Sequence, residues 1–322
     1  MNPRRFLLAA CALALTALGA AHAQSFPGKP IKIVVPFAAG GTGDVLIRSL
    51  QEPMQRHLGQ TIIVENRLGA SGSMGSAFVK NAPADGYTLL QVGNSTVTTP
   101  LMQKAPLYDA QKDFVPVGLI ATTPMVFLTN PVVPATNLAQ LIDYARANPG
   151  KLEFSSAGRG SLAHLATELF NQAAGVQMVF VPYQGAAQAV TAALAGDVKV
   201  ALTTPSDAIN GFVGAGKLRM LAVSSEKRSP LLPNVPAISE TLPGFSVNAF
   251  FGLSAPAGTP PDVIAKLNDA LNKSLAEPAM QAKLKSLGMF PHPANAASFG
   301  EMMKKDHAQW VSVITKAHIE AE

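Results

Sequence analysis

Apolar, β-branched runs alternate with helix-like runs along this 322-residue chain, and that alternation predicts an α/β fold. Two further observations refine it. About 300 residues remain once an N-terminal leader is set aside, which suggests two domains. Glycine-rich turns recur where a strand hands over to a helix, at the strand ends where open α/β sheets gather ligands.

The leader comes first. Arg4 and Arg5 precede the apolar run Phe6 to Ala20, and Ala21–His22–Ala23 has the small-x-small form of a signal-peptidase site. Residues 1–23 are therefore read as a cleaved secretory signal, and the mature chain as secreted. "LAAC" at Leu8 to Cys11 resembles a lipoprotein box, but too few apolar residues separate it from Arg5. No later stretch reaches the ~18 uncharged apolar residues of a membrane span. Cys11 is the one cysteine, so the mature chain lacks disulfides, thiol nucleophiles and cysteine metal sites. Without Arg4 and Arg5, 23 Lys and Arg face 20 Asp and Glu, a net charge of +3. That bias suits small anions weakly, and no basic cluster with interleaved aromatics points to nucleic acid.

Strands are expected at Ile31–Pro36, Thr61–Glu65, Thr88–Val92, Val115–Ala121, Met125–Thr129, Phe154–Ser156, Val179–Val181, Val198–Thr203, Leu221–Val223 and Gly252–Ala255. Helices are expected at Asp44–His57, Met74–Asn81, Leu138–Ala147, Ser161–Ala174, Ala186–Ala195, Ser206–Ala215, Pro261–Ala276, Pro278–Leu287 and Ala297–Ala317. The helix from Pro261 has the clearest signals. Thr259 is placed as N-cap, the prolines fall where a first turn tolerates them, and Val263, Leu267, Ala270, Leu271 and Leu275 share one face. No linker or repeat stands out.

Three turns have the composition of an anion site: "FAAGGTGD", "RLGASGSMG" and "SSAGRGSLAH". Glycine lets backbone approach a ligand, and the helix that follows presents unpaired N–H groups and a positive dipole end. Each turn also has the plainer reading of a structural βα loop. "GGTGD" fits neither the phosphate-loop nor the dinucleotide pattern, so a carboxylate is the simpler anion. Asp44 reads as an N-cap and His164 as support for its turn. "VPYQG" adds Tyr183 and Gln184 between a strand and a helix. A serine hydrolase built on Ser156 or Ser161, with His164 and Asp207, is the alternative. It lacks a G-x-S-x-G elbow, and Ser161 and His164 lie within one helical turn. The six histidines have no zinc spacing, so neither a metal nor a cofactor is expected.

Taken in order, "KPIKIVVPFAAGGTGD", "ENRLGASG", "ADGYTLL", "ANPGKLEFSSAGRGSLAHLATELF", "VPYQGAAQAV", "GKLRMLAVSSEKRSPLLPNVPAISE" and "GLSAPAGTP" resemble the Bug family, periplasmic solute receptors of tripartite tricarboxylate transporters. The resemblance spans essentially the whole mature chain. It implies a periplasmic-binding-protein-like fold of type II: two α/β domains with a ligand cleft and hinge between them. Residues 24–123 plus 247–322 would form one domain and 124–246 the other. It implies no enzymatic activity, but capture of a small mono- or dicarboxylate by a monomer and delivery to membrane permease subunits, or presentation to a sensor kinase.

The family's first loop matches Phe37, Ala38, Gly40, Gly41 and Asp44. Its second matches Ser156, Gly158, Arg159, Gly160, Ser161 and His164. Ser95, Tyr183, Gln184, Thr204 and Asp207 complete the expected ligand-binding set. Gln184 stands where relatives often carry lysine, and the segment around Thr203 to Asp207 is one residue longer than the family pattern.

Overall fold

The computed structural model describes residues 26–183 and 185–321. The leader and Gln184 lie outside the described residues. The first sheet contains β1 (Ile31–Val35), β2 (Ile62–Asn66), β3 (Thr88–Gly93), β4 (Phe114–Pro124), β10 (Asn248–Pro256) and β11 (Phe290–Pro291), in the order β11-β4-β10-β3-β1-β2. The second contains β5 (Val126–Thr129), β6 (Leu152–Ser156), β7 (Met178–Pro182), β8 (Val200–Thr203) and β9 (Arg219–Val223), in the order β7-β6-β8-β5-β9.

The two sheets repeat one plan. β1 pairs in parallel with β2 and β3, as β6 does with β7 and β8. The next strand in each sheet is antiparallel to both its neighbours: β10 between β3 and β4, and β5 between β8 and β9. Each of these is the first strand after the chain changes sheets. The crossings thus knit each sheet into the other lobe, which is the architecture of a type II two-lobed binding protein.

Helices connect the parallel strands: α1 (Thr42–Leu58), α2 (Ser73–Lys80), α5 (Leu162–Ala174) and α6 (Ala186–Ala195). Leu46, Ile47, Leu50 and Met54 of α1 fall on one face and are buried against the first sheet. α3 (Asn94–Leu101) follows β3, α4 (Leu138–Ala147) precedes β6, and α7 (Asp207–Gly214) precedes β9. At the C-terminal end α8 (Pro261–Ala276) buries the whole predicted stripe, α9 (Pro278–Ser286) follows, and α10 (Ala296–Lys316) lies along β4.

Three sequence expectations need correction. α3 was not anticipated, because "NSTVTTPL" is nearly all small and polar and shows no apolar stripe. Thr259 does not cap α8: its hydroxyl donates to the Pro256 carbonyl at 2.8 Å, and the helix starts at Pro261. Asp44 is no N-cap either, since α1 already begins at Thr42 and Gly41 occupies the cap.

The lobes share core on one side. Trp310 and Val313 of α10 belong to one continuous apolar cluster with Leu90 and Val92 of β3 and Phe127, Phe154 and Phe170 of the second lobe. Gln172 of α5 also donates to the Val313 carbonyl at 3.1 Å. The crossings are tied together by Ser224, which is fully buried. Its hydroxyl accepts from the Met125 N–H at 2.8 Å on the outgoing crossing and donates to the Val247 carbonyl at 2.6 Å on the return.

Ser224→Ala leaves a buried N–H and a buried carbonyl without that partner. It is expected to destabilise the protein by about 1–3 kcal/mol, read as a lower midpoint in denaturant unfolding.

Candidate functional site

In both sheets the strand order reverses beside the first strand of the parallel trio, so the loops leaving β1 and β3, and those leaving β6 and β8, diverge. A crevice must open at such a point. Here the two crevices face each other and form a cleft of about 1090 Å³.

The first lobe supplies Phe37, Gly41, Thr42 and Gly43 after β1, and Gly93, Asn94 and Ser95 after β3. The second supplies Ala157, Arg159, Gly160 and Ser161 after β6, and Thr203 and Thr204 after β8. Met125, Ala249, Phe250 and Phe251, from the crossings and β10, line the cleft between them. Arg159 is the one ionisable side chain among the described lining residues.

Four helices begin at this cleft. Gly41 and Gly185 are the N-caps of α1 and α6, and neither cap provides a side-chain hydrogen bond. Gly93 precedes α3. Ser161 caps α5, but its hydroxyl accepts only from the His164 N–H, at 3.3 Å. First-turn N–H groups therefore face the cleft from both lobes, together with the positive ends of four helix dipoles. The arrangement attracts an anion without a lysine.

Asp44 holds the first loop rather than facing the cleft. Its carboxylate accepts from the Gly40 N–H at 2.9 Å, from Arg48 Nε at 3.0 Å and from Asn66 Nδ2 at 2.9 Å. Burial alone would raise its pKa, but hydrogen bonds from Arg48, Gly40 and Asn66 outweigh that and hold it below the usual range. Asn66 also donates to the Phe37 carbonyl. The second glycine-rich turn buttresses the first. A Cβ at Gly72, where φ is +93°, would lie 3.2 Å from Phe37 Cζ. Ala70 and Ser71 also adopt left-handed backbone, at φ of 46° and 54°, and Ser71 lines the cleft. Such strain in non-glycine residues gathers at functional sites.

The third turn is held by a relay of side chains. Ser161 donates to Ser156 Oγ at 3.1 Å, and Ser156 donates to the Gly158 carbonyl at 3.1 Å. His164 Nδ1 accepts from the Gly160 N–H at 3.0 Å, and its ring stacks on Phe180 with centroids 4.0 Å apart. Burial, with the Arg159 charge nearby, pushes the His164 pKa down to about 4, so the imidazole is neutral. Neither serine hydroxyl is donated to an imidazole, and this geometry gives no activated nucleophile. Arg159 also reaches the Glu320 carbonyl with its guanidinium, at 3.4 Å.

Of the expected residues, Phe37, Gly41, Ser95, Arg159, Gly160, Ser161 and Thr204 line the cleft. Asp44, Ser156 and His164 are buried supports, and Gly40 and Gly158 give their loops left-handed turns. Ala38, Tyr183 and Asp207 lie outside the lining, and Gln184 outside the described residues. Sequence reasoning missed Gln91, Asn94, Met102 and Met125. Only the glycine of "QVGNST" offered a signal, as a strand-to-helix turn.

The sequence profile of the tripartite tricarboxylate transporter family receptor matches residues 46–319. Protein BugT of Bordetella pertussis is 35% identical over 321 residues, covering 98% of each chain. Among solved structures, Rpa4515 of R. palustris with adipate is 33% identical with a TM-score of 0.78, covering 92% of this chain and all of that one. MatC from Rhodopseudomonas palustris with bound malate is 30% identical with a TM-score of 0.73, covering 90% of this chain and all of that one.

His164 gives a pH signature. Its folded-state pKa of about 4 lies below the ordinary 6.5, so the unfolded chain takes up the proton first as pH falls. The stability it contributes is complete above pH 6.5 and is lost on acidification toward pH 4. Asp306 of α10, pushed up to about 7 by burial, contributes a slope of opposite sign between its ordinary 3.8 and 7. His164→Leu isolates the first effect. Relative to the wild type, its stability should shift upward by about 3 kcal/mol as pH falls from 6.5 to 4, because the His164 loss is gone while the Asp306 gain remains, measured by denaturant unfolding at each pH.

Proposed function

Because the chain belongs to the tripartite tricarboxylate transporter receptor family, the Bug-type receptors that its motifs resemble, we propose that it captures a small carboxylate in the periplasm and delivers it to the permease subunits of such a transporter. This is a receptor family and not an enzyme family. One observation carries the carboxylate reading: four helix N-termini and a guanidinium converge on a cleft whose described lining holds no acidic side chain. Relatives solved with adipate and malate support the same class of cargo. None of the helices among the described residues is long and apolar enough to cross a membrane.

The two lobes swing about the crossings on either side of Ser224. Residues 24–123 with 247–322 move as one body and 124–246 as the other, and the α10 side acts as the fixed edge. Closure brings the Gly41–Gly43 and Gly160–Ser161 backbones onto the ligand from opposite sides and expels water. Phe37, Gly41, Ser95, Arg159, Gly160, Ser161 and Thr204 make the contacts.

Calorimetry tests this on mature protein that has been unfolded, stripped of carried-over ligand and refolded. One-to-one binding of a mono- or dicarboxylate, recovered chemically unchanged, is expected. Turnover of an ester or amide by the same preparation would overturn the receptor reading.

Ser161→Ala removes both the cap of α5 and a hydroxyl of the cleft. It should weaken carboxylate binding by about 1–3 kcal/mol. An unchanged affinity removes Ser161 from the site.

A further inference from the structure

Gln91 of β3 sits at the floor of the cleft, only 2% exposed. Its amide is oriented by the backbone: Nε2 donates to the Val92 carbonyl at 2.9 Å. Turning the amide over would set two carbonyl oxygens against each other, so Oε1 is held on the other side. That side faces Gly43 in the first turn of α1, where a Cβ would lie 2.9 Å from Oε1. Oε1 itself has no hydrogen-bond partner. Buried carbonyl oxygens are nearly always paired, so an orphan at a binding cleft calls for a donor from elsewhere.

A carboxylate seated on the N–H groups of Thr42 and Gly43 would lie beside this oxygen. An ionised carboxylate only accepts, so it cannot satisfy Oε1 and is repelled by it. A donor on the carbon next to the carboxylate removes the conflict. The charge of the site narrows the donor further. The described lining contains no Asp or Glu, and the nearby Asp44 carboxylate is occupied by Arg48, Asn66 and Gly40. An ammonium would therefore enter without a counter-charge, whereas a hydroxyl needs none.

We propose that Gln91 is a specificity-determining residue whose Oε1 accepts a hydrogen bond from the hydroxyl of a 2-hydroxycarboxylate. The amide shifts slightly toward the cleft when it does so, and Gly43 permits this because it carries no side chain to block the movement. The proposal rests on the carboxylate reading of the cleft and adds the group next to the carboxylate.

The test is titration calorimetry on the stripped, refolded full mature chain with two matched pairs, malate against succinate and lactate against propionate. The hydroxylated member of at least one pair should bind about tenfold tighter or more. Gln91→Leu should reduce that preference to within about twofold, by weakening the hydroxylated ligand and relieving the repulsion felt by the unhydroxylated one. Gln91→Met, closer in shape, repeats the measurement if the leucine variant unfolds, and thermal melting confirms that the variant tested is folded. Equal binding of both members by the wild type overturns the role of Gln91 and leaves the carboxylate reading standing. So does an equal loss for both members in a folded variant, which would make Gln91 a structural residue. Binding of no member of either pair contradicts the proposal, and binding of another, unhydroxylated carboxylate such as adipate by the same preparation then leaves the carboxylate reading standing.

Discussion

Backbone N–H groups left without partners at the start of a helix are the element on which this protein depends. They need a negative or accepting group, and water or a ligand must supply it where no side chain does. Here the glycines that precede α1, α3 and α6 cannot supply it, and Ser161 before α5 supplies only part. The sheet order decides where those unpaired groups meet. Reversal of direction beside β1 puts the starts of α1 and α3 at one crevice; beside β6 the start of α5 lies at the other, joined by that of α6, which follows β7, and the crossings between sheets turn the crevices toward one another. A cleft of partial positive charges needs few ionised side chains, and Arg159 is the only one among the described lining residues.

The charged and titratable residues near the cleft serve that backbone. Asp44 gathers Gly40, Arg48 and Asn66 so that the first loop keeps its N–H groups in place. His164 stays neutral because burial between aromatic rings and the Arg159 charge disfavour its cation, and as a neutral ring it accepts the Gly160 N–H. Ser156 and Ser161 spend their hydroxyl protons on holding the third turn. A hydrolase reading of the same side chains required an activated hydroxyl, and this hydrogen-bond pattern leaves none.

Sequence was most informative where a single local rule decided the outcome. The apolar stripe of α8 and the alternation of parallel strands with helices follow from periodicity alone, and both are present. The glycines of the first and third turns marked strand ends that line the cleft, because glycine lets backbone turn sharply just before a helix. What stayed hidden depends on contacts distant in sequence. α3 is built from small polar residues and is stabilised by packing against α10, far along the chain, so no window of sequence reveals it. The apolar wall of Met102 and Met125 comes from segments that meet only when both crossings are formed. Asp44 and His164 were placed near the site by motif, but whether a side chain faces a ligand or the protein interior depends on partners such as Asn66 and Phe180 that lie well away in sequence.

The central claim is that unpaired helix-start N–H groups from both lobes hold the anion. Amide NMR on isotopically labelled, ligand-free protein tests it directly during titration with a bound carboxylate. The account predicts that the largest downfield amide-proton shifts occur at Thr42, Gly43, Leu162 and Ala186, in both lobes and at the same stoichiometric point. Saturating binding that leaves these amides in place, or moves those of one lobe only, would contradict it.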